Sequence, residues 1–156
     1  MIVIRPNRNR VHSSTVLILG GIILMGLGVY FIFLRPPLLP EDPRFMGASL
    51  AQIQMSLPGL KTWLTRVFWV MGGYMLACGV LTAYVATTNF KARAPNAVLA
   101  VTLSGLTSIG LMSAVNFMID SDFKWLLLAF TLPWIIALVL YVIEGQAIRD
   151  KGLAMD

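Results

Sequence analysis

The sequence predicts an all-α integral membrane protein: a four-helix bundle with a short amphipathic helix in a long first outer loop. Three observations carry that prediction. Hydrophobic residues make up 58% of the 156 residues and charged residues only 12%, whereas a soluble domain is nearer half apolar and a quarter charged. Four apolar runs have about the 20 residues that a helix needs to cross roughly 30 Å of hydrocarbon. Inside those runs there is no Asp, Glu, Lys, Arg or His.

The runs are 15–34 (TVLILGGIILMGLGVYFIFL), 67–88 (VFWVMGGYMLACGVLTAYVATT), 95–119 (PNAVLAVTLSGLTSIGLMSAVNFMI) and 125–143 (WLLLAFTLPWIIALVLYVI). They must be helices, because lipid offers the backbone no hydrogen-bond partners. Barrel strands are about half as long and alternate in polarity, and these runs do not alternate. The first run follows the basic stretch RPNRNR, but it exceeds a signal-peptide core and no A-x-A-type site follows it. It reads as a retained signal-anchor helix. The predicted organisation is a basic N-terminus (1–14), a four-span domain (15–144) with an outer loop (35–66), and a C-terminal tail (145–156).

Four spans put both ends on one side. That side carries Arg5, Arg8, Arg10, Lys91, Arg93, Arg149 and Lys151, against Arg35, Arg44, Lys61, Arg66 and Lys124 on the other. The excess predicts a multi-pass protein of the bacterial cytoplasmic (inner) membrane with both termini in the cytoplasm. The net charge of +5 then reads as a topology signal and as contact with membrane lipids, not as a nucleic-acid surface.

Short links between the later spans force antiparallel neighbours. In the long first link, Met46, Leu50, Ile53 and Leu57 recur at helical spacing until Pro58-Gly59 ends the pattern. They predict one amphipathic helix on the outer surface. Before it, Pro36, Pro37, Pro40 and Pro43 predict a stiff extended lead-in around Glu41 and Asp42. Gly20, Gly21, Gly72, Gly73 and Gly79 are read as helix-packing residues, since association in lipid depends on close approach. Ala100, Ser104 and Ser108 form a small-residue stripe that places the third span at the bundle centre or against a partner subunit. Pro133 predicts a kink over 129–133.

Residues that carry chemistry are few. Cys78 is the single cysteine and His12 the single histidine, so no disulfide, no zinc set and no bis-histidine haem is available from this chain. No metal site and no catalytic constellation is predicted. Transport is not expected, because coupled transporters carry ionisable groups at mid-depth. Four residues are candidates for ligand or headgroup binding. Arg66 is spaced to stack on Trp69. Asn116 is a strong polar side chain within a span, suited to a ligand or to a neighbouring helix. Trp134 sits at the kink and suits the wall of a pocket for a flat molecule. Intrinsic cofactors are not expected; a bound lipid, quinone or pigment is.

A glycine-rich first span, a proline-containing loop, an arginine shortly before MGGYMLACGV, a third span ending in Asp120 and a fourth ending in Glu144 together resemble the DoxX-like group of small four-helix bacterial membrane proteins, over about 14–144. The resemblance implies a four-helix bundle and a link to membrane redox chemistry; it supplies no catalytic residues. The expected function is that of a non-catalytic accessory subunit of a larger membrane complex, respiratory or photosynthetic, with other integral membrane subunits as partners. The alternatives are a lipid-, quinone- or pigment-binding module and a DoxX-like redox-associated protein.

Overall fold

The computed structural model describes residues 12–153, with side chains to residue 150. Of the cations of the expected inner side, Arg5, Arg8 and Arg10 lie outside these residues, and the side chain of Lys151 lies outside the described side chains. The helices are α1 (His12–Phe33), α2 (Glu41–Met46), α3 (Leu50–Ser56), α4 (Leu60–Phe90), α5 (Ala97–Met118), α6 (Lys124–Ala129) and α7 (Leu132–Leu153). No strand occurs among the described residues. Four helical segments are long and apolar enough to cross a membrane: α1, α4, α5 and the α6–α7 path.

The boundaries depart from the sequence reading in two places. α4 begins at Leu60, so seven residues of the expected loop belong to the helix. α7 continues to Leu153, within the segment read as a tail. The fourth path breaks where Pro133 requires it: α6 ends at Ala129, and the Trp134 N–H bonds to Thr131 O at 3.1 Å, closing a tighter turn. Proline lacks the donor that would have bonded to residue 129.

The outer loop forms two short helices where one was expected. Gly47, in the left-handed conformation at φ 67°, ends α2. Ser49 then opens α3 with a reciprocal cap, its hydroxyl accepting from Gln52 N–H while the Gln52 side chain accepts from Ser49 N–H. Of Met46, Leu50, Ile53 and Leu57 only Ile53 is buried. The lead-in is also not extended up to Pro43. Pro40 and Pro43 sit in the first turn of α2, where backbone N–H groups have no intrahelical acceptor to lose.

The core is built around α1. Its buried residues are Ser13, Ser14, Leu17, Gly20, Gly21, Leu24 and Gly28, of which Ser14, Leu17, Gly21, Leu24 and Gly28 recur every three or four positions along one face of the helix. α4 lies antiparallel against it through two glycine pairs seven residues apart. A methyl group on Gly21 would fall 2.8 Å from Gly79 O, and one on Gly28 would fall 2.7 Å from Gly72 O. Each pair brings backbone against backbone, the close approach on which helix association in lipid depends.

α5 buries Ala97, Val101, Gly105, Ile109 and Ser113, a row one position removed from Ala100, Ser104 and Ser108. Ala100 is exposed and the two serines are half-buried, so that stripe is not the central face. A row with four-residue spacing drifts by about 40° per step on an α-helix of 3.6 residues per turn. In α5 residues Leu106–Gly110 form a wider π-helical turn. The extra residue it absorbs turns Ile109 and Ser113 back toward the core.

Candidate functional site

Three side-chain clusters are set by this packing: at the end of the bundle where α1 starts, midway along the long helices, and at the opposite end. At the start of α1, the Glu144 carboxylate accepts from Ser13 N–H at 3.1 Å and from the Ser13 hydroxyl at 2.6 Å. Arg93 reaches the same carboxylate at 3.5 Å. Its guanidinium also donates to Tyr141 O at 2.8 Å and lies 4.1 Å from the Tyr141 ring centroid. Arg93 holds a left-handed backbone at φ 54°, a conformation rare for a non-glycine residue. The network joins α1, the α4–α5 turn and α7. It caps the start of α1 with a carboxylate, which the helix dipole favours.

Midway along the helices, Trp134 is 3% exposed and lies between two glycines. A methyl group on Gly20 of α1 would meet its benzene ring at 2.7 Å, and one on Gly105 of α5 would meet Cδ1 at 2.5 Å. Trp134 Nε1 is buried beside Gly105 and has no hydrogen-bond partner among the described residues. The indole floors a groove of about 550 Å³ between α5 and α7. Gly105, Leu106, Ile109, Ser113, Phe117 and Ile135 are among its lining residues. The groove lies between two backbone irregularities, the π-helical turn of α5 and the proline break ahead of α7. Leu106 and Ile135 at its edge are exposed, so it opens sideways from the helices. Thr102 and Ser113 line it too, and Thr131 spends its hydroxyl on Leu128 O at 2.7 Å.

At the opposite end, Glu41 is buried at 2% exposure. Its Oε1 accepts from the Ser121 hydroxyl at 3.0 Å, and Ser121 Oγ accepts from Phe123 N–H at 3.2 Å. Glu41 Oε2 has no partner among the described residues. The neighbouring cations are otherwise engaged. Arg35 lies 4.0 Å from Asp42 and stacks 3.6 Å above the Phe68 ring centroid. Burial lowers its pKa below the usual guanidinium value although Asp42 opposes the shift. Arg44 donates to Asp122 and to Asp120 O, each at 3.0 Å. Lys124 pairs with Asp120. That hydrogen bond holds the Asp120 carboxyl below its usual range. Glu41 and Asp42 therefore face different partners: Asp42 caps Leu39 N–H at 2.8 Å while Glu41 ties α2 to the α5–α6 turn.

The residues singled out from sequence fall in different places. Arg66 lies 4.2 Å over the Trp69 ring and stays exposed. Among the described residues Asn116 forms no hydrogen bond to a neighbouring helix: its Nδ2 donates to Met112 O of its own helix at 2.8 Å. Gly20 meets Trp134, and Gly21, Gly72 and Gly79 meet backbone, while Gly73 has nothing within 4 Å of an added methyl. Sequence reasoning passed over Ser13 and the Ser121 contact to Glu41. Glu144, adjoining the last apolar run, was the one signal available for the network at the start of α1.

No family model matches the chain, and neither a curated protein nor a solved structure is significantly similar to it.

Proposed function

We propose that this chain is a multi-pass protein of a bacterial inner membrane that holds an apolar, membrane-soluble molecule in the groove between α5 and α7. The groove carries the reading. Its volume of about 550 Å³ lies within the usual range of ligand pockets. From Gly105 to Phe117 it runs about 18 Å at 1.5 Å per residue, the length of a lipid acyl chain. Trp134 supplies part of the groove's apolar floor. Both termini face the cytoplasm, following the excess of Lys and Arg at that end. The test is native mass spectrometry of the protein released from mild detergent. One lipid-phase molecule per chain is expected, and Ala114→Phe, at an exposed groove residue, is expected to displace it. Equal occupancy in both proteins rejects the reading.

A second reading is a non-catalytic accessory subunit of a larger membrane complex, of the redox-associated kind that the DoxX-like resemblance implies. The outward position of Ala100 on α5 and the open space at Gly26 and Gly73 favour it, because small residues on a lipid-facing surface admit a partner helix.

A further inference from the structure

We infer that the corner formed by the end of α3 and the first two turns of α4 docks on anionic phospholipid headgroups through Lys61 and Arg66. α4 has 31 residues, about 46 Å at 1.5 Å per residue, against roughly 30 Å of hydrocarbon. The apolar run begins only at residue 67, so the surplus lies at the N-terminal end and places Leu60 to Arg66 in the headgroup layer. Lys61 and Arg66 are exposed there, and neither forms an ion pair among the described residues.

Charge complementarity selects the partner. No Asp or Glu occurs from residue 43 to residue 119. Of the acids at this end of the fold, Asp42 is paired with Arg35, Asp122 with Arg44 and Asp120 with Lys124, while Glu41 is buried against Ser121, out of reach of the surface. Lys61 and Arg66 therefore present uncompensated positive charge. They are five residues apart, about 140° round the helix, so they engage two neighbouring phosphates and do not clamp one. Apolar side chains complete the surface. Met55 is 75% exposed, Leu57 58% and Trp63 62%, and Trp63 is a residue type that settles at the membrane–water boundary. A cleft of about 330 Å³ lined by Ser56, Leu57, Leu60 and Trp63 offers room below the headgroup. Arg66 is steadied over Trp69, which keeps its guanidinium beside the helix at the depth of the phosphates.

The full chain in nanodiscs of phosphatidylcholine mixed with phosphatidylglycerol tests this. Native mass spectrometry reads the ratio of the two lipids that stay bound. The wild type is expected to retain phosphatidylglycerol preferentially. Lys61→Gln and Arg66→Gln are each expected to lower that preference about fivefold, and Lys91→Gln, at the opposite end, to leave it unchanged. Excess inorganic phosphate is expected not to displace the lipid. The inference is overturned if the Lys61/Arg66 double variant keeps the wild-type preference, or if free phosphate competes. It is also overturned if a photo-cross-linker at Leu57 captures a protein in place of phospholipid.

Discussion

Replacing Gly79 by alanine tests the central packing of the fold. The new methyl would lie 2.7 Å from Gly21 O, Met25 N and Met25 Cγ. Two of these three atoms are backbone and cannot turn away. Ordinary contact begins near 3.4 Å, so α1 and α4 must separate by about 0.7 Å, a gap that forfeits a quarter to a half of the local dispersion energy. The same separation loosens the Gly28–Gly72 contact two turns away. Overpacking of this kind costs about 1–3 kcal/mol. Gly73→Ala is the matched control, since an added methyl there meets nothing within 4 Å, and its effect is expected to stay within about 0.5 kcal/mol. Unfolding in mixed micelles, followed by loss of helical circular dichroism as the denaturing detergent fraction rises, gives both values. A combined Gly28→Ala/Gly79→Ala protein should lose less than the sum of its parts, because one separation relieves both clashes. Equal stability of the Gly79 and Gly73 variants would refute the paired-glycine interface.

Two further outcomes follow from the polar clusters. Glu144→Ala should cost about 1–3 kcal/mol, because it strands Ser13 N–H and Arg93 together, and hydrogen exchange should speed up first at the start of α1; unchanged protection there would count against the network of Ser13, Arg93 and Glu144. Acidification should loosen the α5–α6 turn. The Asp120 carboxyl is lowered by its hydrogen bond to Lys124, so its contribution is complete above the ordinary carboxylate value near 4 and is lost as pH falls through the lower folded value. Trp125, packed edge-on against Phe117 with centroids 5.1 Å apart, reports the change by fluorescence once the other three tryptophans are replaced. An identical acid transition in Asp120→Asn would assign it to another group.

The four apolar runs and the break before Trp134 were legible in the sequence. Partition into lipid is a local property of about 20 residues, and a proline interrupts a helix whatever surrounds it. The rotation of each helix was not legible. In a span apolar on every side, periodicity carries little information about which face packs, so Ala100, Ser104 and Ser108 looked as suitable as the row from Ala97 to Ser113 that is buried. The π-helical turn that steers this row leaves no mark in composition.

What the sequence alone determined about this protein is its segmentation: four helical segments long and apolar enough to cross a membrane, charges kept to their ends, and a proline-rich turn after the first. The tertiary structure decided which of several equivalent glycines touch backbone, which acid faces inward at Glu41-Asp42, and that Ser13, Arg93 and Glu144 share one network across 131 residues of chain. Hydrophobicity is summed along a segment, whereas contact depends on angles and distances between segments, and these are fixed only when the helices pack.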